Sequence, residues 1–318
     1  MRISRAFKAL CRNRRPIVIA AGFFDGLHRG HRAVLSRAVA KARAIDGVAW
    51  VLTFDRHPLA VLSPADAPPA ISSRRATLEG FRRLGFDGCL MLPFTRALAA
   101  LTPKDFVERL TACRPTLARV VVGSNWKFGK GGVGTPATLA AMGRRIGFGV
   151  TVVRPILHAG QPISSTRLRA AILSGRMMDA AALLGGPFLL RGRVVRGRAV
   201  GRRLGFPTAN LRWEDAADVL PPEGVYAVNA RIGRRMFGGM LNIGRRPTFP
   251  ELAQKGSVAE LHLFDFAGSL YGRRAEVAFG PRLRAERRFA SVAALQRQLH
   301  RDEKAARAAL TKRSQPVV

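Results

Sequence analysis

The chain predicts a two-part fold of class α/β plus β. A helix-covered parallel sheet comes first, then a small antiparallel β-barrel with a terminal helix. Three observations carry this. From residue 17 to about 180, short branched apolar runs alternate with stretches of helical periodicity, the pattern of a parallel sheet under helices. From about 187 the apolar runs are short and broken by Gly, Pro and Asn, as in a small all-β domain. The length of 318 residues is also about two domains at roughly 150 residues each.

Taken in order, Ile17–Ala21 is a branched apolar run and reads as the first strand. Residues 32–44 are Ala-rich with apolar positions at helical spacing. Val48–Phe54 is the next strand, before a loop holding Pro58, Pro64, Pro68 and Pro69. Residues 78–84 read as helix and Gly88–Leu92 as strand; residues 103–110 form a helix opening at Thr102. Residues 120–122 make a strand that runs into a glycine-rich loop over 123–134. Helix 139–146 and strand 150–153 complete the layer. The barrel strands are Leu189–Val195, 225–232, 236–243, 259–264 and 275–279, and one helix covers 291–310. The boundary falls at Leu184-Gly185-Gly186-Pro187, giving domains 1–184 and 187–318.

Composition narrows the class. Hydrophobic residues are 47% and charged residues 23%, enough apolar side chain for a core and too much for a disordered chain. No apolar run approaches the ~20 residues that cross a bilayer. Charge is the unusual quantity: 54 basic against 20 acidic residues leaves +34, nearly all of it arginine because only eight residues are lysine. That balance attracts anions, phosphorylated small molecules and nucleic acid among them. The arginines are spread along the chain, so arginine-biased codon use is the plainer account, and nucleic-acid binding is possible but not favoured. The odd cysteine count (Cys11, Cys89, Cys113) and the lack of a C-x-x-C argue against a disulfide scaffold or zinc site and fit a reducing compartment. The short apolar run after the basic start leads straight into Phe24-Asp25-Gly26, so the expectation is a cytoplasmic protein without signal peptide or membrane partner. Oligomeric state is left open.

The strongest local signal is Gly22-Phe23-Phe24-Asp25-Gly26-Leu27-His28-Arg29-Gly30-His31, between first strand and first helix. His28 and His31 are three apart and share one side of a helix N-terminus. Gly26 and Gly30 allow close approach of backbone and ligand. Backbone N–H groups, helix dipole and two imidazoles together suit the phosphates of a nucleotide and the charge that develops on an attacked phosphoryl group. A second segment, Ile163-Ser164-Ser165-Thr166-Arg167-Leu168-Arg169, places hydroxyls at a helix start followed by arginines, also a phosphate-binding chemistry.

These segments resemble the H-x-G-H signature and the second basic motif of the nucleotidyltransferase superfamily. Arg202-Arg203-Leu204-Gly205-Phe206-Pro207-Thr208-Ala209-Asn210 holds the Pro-Thr-Ala-Asn element of riboflavin kinases. Leu220-Pro221-Pro222-Glu223-Gly224-Val225-Tyr226, Asn242-Ile243-Gly244-Arg245-Arg246-Pro247-Thr248-Phe249 and Glu260-Leu261-His262-Leu263-Phe264-Asp265-Phe266 follow in order. Over about residues 16–310 the chain is similar to the prokaryotic bifunctional riboflavin kinase/FAD synthetases. The resemblance implies a Rossmann-like FMN adenylyltransferase domain and a riboflavin kinase barrel. ATP would be a substrate of both, with riboflavin, FMN and FAD as substrates or products and Mg²⁺ as cofactor. It implies that Glu260 is the kinase base, that Thr208 and Asn210 bind the metal, and that Gly197 and Gly201 belong to a flap over the nucleotide. It implies that His28 and His31 stabilise charge in the adenylyl transfer. Gly22, Phe24, Asp25, Gly26, Ser164, Ser165, Thr166 and Arg169 would complete that ATP site. Asn125, His57 and Arg284 would be flavin-binding.

Several positions depart from the family pattern: Phe24 in place of Asn, Ser124-Asn125 in place of an acid-rich pair, Asp55-Arg56-His57-Pro58 in place of Glu-Pro-His-Pro, Arg196-Gly197-Arg198 in place of His-Gly-Asp, and Gly186 in place of Arg. None removes a residue assigned to phosphoryl chemistry. They motivate two alternatives to an enzyme that makes FMN and then FAD: a divergent paralogue with one half active, and a flavin- or nucleotide-binding regulator.

Overall fold

The computed structural model describes residues 1–112, 117–196, 205–214, 219–245 and 257–311. The chain divides into two compact units, Met1–Ser165 and Thr166–Val318. The first is built on a parallel sheet of β1 (Arg2–Ser4), β2 (Ile17–Ala21), β3 (Val48–Phe54), β4 (Gly88–Leu92), β5 (Leu117–Gly123) and β6 (Gly149–Val153), ordered β1-β4-β3-β2-β5-β6. Its helices are α1 (Arg29–Arg43), the short α2 (Leu59–Leu62), α3 (Arg74–Arg83), the short α4 (Arg96–Ala99), α5 (Pro103–Thr111) and α6 (Pro136–Ile146), and a two-residue antiparallel pair, β7 (Leu157–His158) and β8 (Gln161–Pro162), follows β6.

All five residues of β2 are buried, as expected for a central strand covered on both faces. Alternate residues feed two cores. Ile17, Ile19, Trp50, Leu52 and Val120 pack with Phe106 of α5 and Leu139 of α6. Val18, Ala20, Val51 and Val121 pack with Leu35 and Ala38 of α1 and Phe81 of α3. Each fully buried Leu or Phe contributes roughly 1.5–3 kcal/mol by leaving water. Thr102 caps α5 through a reciprocal capping box with Asp105, which explains why the helix starts there. The chain leaves β2 through α1 to β3 on one side, while β5 lies on the other. Strand order therefore reverses at the carboxyl end of β2, the point where open α/β sheets bind ligands.

The second unit opens with α7 (Ser165–Leu173) and α8 (Met177–Leu184), of which Ser165 itself falls in the first unit. A closed antiparallel barrel follows, made of β9 (Leu189–Val195), β10 (Ala209–Trp213), β11 (Gly224–Ile232), β12 (Arg235–Arg245), β13 (Ser257–Leu263) and β14 (Arg274–Arg284). The order β10-β13-β12-β11-β14-β9 closes through the β9–β10 ladder, which removes free edges. Tyr226, Val228, Leu241, Leu261, Val277 and Phe279 are all buried. On the outside of β11 and β12, Val225, Ala227 and Met240 are covered by Leu299, Ala306 and Leu310 of α9 (Val292–Thr311), with Phe206 and Phe264 in the same cluster.

The predicted α/β plus β-barrel architecture is therefore the observed one. Elements the sequence did not announce are short. β1 has three residues and pairs only with the edge of β4. β10 lies inside a segment read for its motif. α8 is an eight-residue apolar helix without polar periodicity. Cys11 is disulfide-bonded, which the scattered cysteine spacing did not lead one to expect, while the buried Cys89 thiol is free. Among the described residues no helix is long and apolar enough to cross a membrane.

Candidate active sites

In the first unit the turn after β2 is shaped by positive φ at Gly26 (84°) and, unusually for a non-glycine, Leu27 (41°). This turn delivers His28 as the N-cap of α1: its Nδ1 accepts the His31 N–H at 3.2 Å. The His28 and His31 rings stack with centroids 3.7 Å apart. A Cβ at Gly30 would lie 3.2 Å from the His28 ring, so glycine leaves that ring its place. Burial lowers the His28 pKa to about 4. His31 lies well below its ordinary value, first from burial and then from the neighbouring His28. The pair is therefore uncharged at neutral pH. Because Nδ1 of His28 accepts, its neutral tautomer carries the proton on Nε2, a donor available to a phosphoryl oxygen. Nδ1 of His31 is buried and has no hydrogen-bond partner among the described residues.

Phe24 is buried, with its ring edge-on to His31 at 5.3 Å and folded against Gly22, where a Cβ would meet it at 2.9 Å. Asp25 is a latch in this structure. Its carboxylate accepts the Ile71 N–H at 2.9 and 3.0 Å and the Ser72 N–H at 3.0 Å. Its carbonyl accepts the Ser165 hydroxyl at 3.0 Å, which ties the second motif to the histidine turn. Ser164 is half-buried beside it; Thr166 and Arg169 continue on α7 in the second unit. His57 accepts the Leu59 N–H at 3.2 Å and meets Phe23 edge-on at 5.0 Å. Asn125 is exposed in the turn after β5. Downstream of it, Trp126 stacks on Phe128 at 4.8 Å.

In the second unit the registers place Asn210 directly opposite Glu260, and Glu260 directly opposite Asn242. Facing residues of an antiparallel pair share one side of the sheet, so amide, carboxylate and amide form a row across three strands. In the sequence Asn242 only opens a family motif and has no site role; strand register is what sets it opposite Glu260. Thr208, two residues before Asn210, borders a cavity of about 440 Å³ together with Val194, Pro207, Leu263, Phe266 and Tyr271. Phe266 and Tyr271 were likewise not identified as site residues. Arg284 donates from Nε to Asp302 of α9 at 2.8 Å, and Asp302 also accepts from Gln298 at 2.7 Å. Its guanidinium thus binds the covering helix. Gly197 and Gly201 lie outside the described residues.

The donors suit Mg²⁺ arriving with a nucleotide. Thr208 and Asn210 offer hard neutral oxygens, and among the described residues no group of three His, Cys, Asp or Glu side chains assembles to hold an ion alone.

Family models agree with this division. The model described as FAD synthetase matches residues 11–167, and the one described as riboflavin kinase matches residues 184–310. The bifunctional riboflavin kinase/FMN adenylyltransferase of Escherichia coli K12 is 37% identical over 291 residues, 91% of each chain. The chain belongs to this bifunctional family. Proteins of the same name from Pseudomonas fluorescens (36% identity, 97% of each chain) and Bacillus subtilis (32% identity, 91% of each chain) extend the match to other lineages. A crystal structure described as a macrolide-efflux protein from Streptococcus pneumoniae superposes with TM-score 0.83 at 30% identity, covering 96% of this chain and 98% of that one. That description lends no support to efflux here, given the family match.

Proposed function

We propose that this chain converts riboflavin and ATP into FMN on its barrel, and FMN and ATP into FAD and pyrophosphate on its α/β unit. The observation that carries the reading is the pair of built sites: stacked neutral imidazoles at the carboxyl end of β2, and Asn210 facing Glu260 in register beside the Thr208 cavity. The match of one family model to each part supports it. The riboflavin kinase model begins at 184, which supports a functional boundary at 184–187.

In the kinase reaction the 5′-hydroxyl of riboflavin attacks the γ-phosphorus of ATP. Glu260 accepts the hydroxyl proton. Thr208 and Asn210 would hold Mg²⁺, whose charge when bound offsets that of the phosphate oxygens. The apolar cavity wall with Tyr271 at its rim takes the adenosine part of the nucleotide. In the adenylyl transfer a phosphate oxygen of FMN attacks the α-phosphorus and pyrophosphate leaves. Nε2–H of His28 donates to an α-phosphoryl oxygen as charge builds, with His31 stacked behind it. Both imidazoles work uncharged, as hydrogen-bond donors. The helix N-terminus with Ser164 and Ser165 receives the departing phosphates, and His57 and Asn125 border the flavin. Such a protein works in the cytoplasm, where both ATP and riboflavin are at hand.

Incubating the purified chain with riboflavin, Mg²⁺ and ATP, then separating flavins by chromatography, tests this reading. FMN followed by FAD is expected. Absence of both overturns the enzyme reading in favour of a flavin-binding regulator, and FMN alone overturns the adenylyl transfer.

A further inference from the structure

The segment that carries Thr208 and Asn210 has an anchor that the chemistry above does not use. His262 stands on β13 two residues beyond Glu260, so both side chains leave the same face of the strand. Its Nδ1 lies 2.9 Å from the carbonyl oxygen of Pro207. A carbonyl only accepts, so Nδ1 carries a proton and donates it. The ring also packs on Phe206 at 5.2 Å, and Phe206 meets His300 of α9 at 4.9 Å. The same helix grips the turn after β13. Arg307 makes bonds of 2.8 and 2.9 Å to Asp265, and its guanidinium lies 4.3 Å over Phe264. One strand held by α9 thus bears both the carboxylate and the anchor of the oxygen donors.

We propose that His262 is a positioning residue of the riboflavin kinase site. Its Nδ1–H bond to Pro207 sets where Thr208 and Asn210 stand relative to Glu260. The proposal rests on the reading of the second unit given above. Pro207 has no N–H of its own to bond, so its carbonyl is the handle by which the neighbouring strand holds this turn. Groups that orient metal donors without touching the metal change affinity or rate by about 10–100-fold when removed.

The test compares His262→Leu, which removes the donor, with His262→Asn, whose Nδ2–H can occupy the place of Nδ1–H. Three quantities are read on the full chain: the Mg²⁺ concentration for half-maximal riboflavin phosphorylation, hydrogen–deuterium exchange of peptides spanning 205–213, and adenylylation of supplied FMN. The Leu variant should raise the Mg²⁺ requirement about tenfold or more and speed exchange over 205–213. Its adenylylation should stay within about twofold of the parent, as expected for independent sites. The Asn variant should recover most of both losses. A Leu variant with parent-like Mg²⁺ demand and exchange overturns the proposal. So does an Asn variant as impaired as Leu, or a Leu variant that loses adenylylation as well. If the parent chain does not phosphorylate riboflavin, the kinase reading itself fails and takes the proposal with it. An active parent beside an unaffected Leu variant overturns the proposal alone.

Discussion

Replacing Asp25 with Asn keeps the side chain's shape and removes its charge. In the parent, this 6% exposed carboxylate accepts from Ile71 N at 2.9 and 3.0 Å and from Ser72 N at 3.0 Å. The Asn oxygen in the place of Oδ1 can keep both the Ile71 and Ser72 amides, but Nδ2 in the place of Oδ2 then faces the shared Ile71 N–H, donor against donor. Both charge-assisted bonds become neutral. At about 1.5–3 kcal/mol for a charged and about 1 for a neutral bond, the first unit loses about 1–4 kcal/mol. Urea unfolding in a Trp213→Phe background, which leaves Trp50 and Trp126 of the first unit as reporters, measures that loss. Adenylylation of FMN should fall as well, because the Asp25 carbonyl also positions Ser165. A displacement of about 1 Å costs roughly a hundredfold in rate. Riboflavin phosphorylation should be unchanged. Parent-like stability with lost adenylylation would refute the latch and show that the carboxylate faces the nucleotide. Parent-like values of both would refute any role for it.

Glu260→Gln should reduce riboflavin phosphorylation by about 10²–10⁴-fold and spare adenylylation of supplied FMN; flavin chromatography of single-substrate reactions checks both. His28→Ala with His31→Ala should do the reverse. Burial holds the His28 pKa at about 4, below the 6.5 of the unfolded chain. The unfolded state therefore binds more protons between those values, so the stability contribution is complete above pH 6.5 and is lost as pH falls towards 4. Urea midpoints from pH 7 to 4 should fall more steeply for the parent than for the double variant. Arg284→Met should cost the second unit about 3–5 kcal/mol, because it leaves the buried Asp302 carboxylate without its cation. A raised riboflavin KM with unchanged urea stability would instead make Arg284 a flavin ligand.

Much of the fold was legible because burial dictates composition. Ile17–Ala21, Val48–Phe54 and Gly88–Leu92 are covered on both faces, so their apolar runs end where the strands end. β1 carries no such signal: Arg2 and Ile3 are exposed, and only the β4 edge makes them a strand. The two histidines were visible from their spacing, yet the cap that sets the His28 tautomer depends on a backbone turn at Gly26 and Leu27. Asp25 shows a different limit. Its partners Ile71 and Ser72 are about fifty residues away, so no local pattern announces that the carboxylate holds that loop. Arg284 and Asp302 are likewise joined only by the docking of α9. The Asn210–Glu260–Asn242 row is a product of strand register, which no local pattern encodes.

The most direct measurement follows the phosphorus of ATP. With riboflavin as the sole flavin, label from the γ-position should enter FMN and persist in FAD, while label from the α-position should appear in FAD and never in FMN. Label from the α-position in FMN, or no γ-label in any flavin, would contradict two sites acting on two different phosphorus atoms.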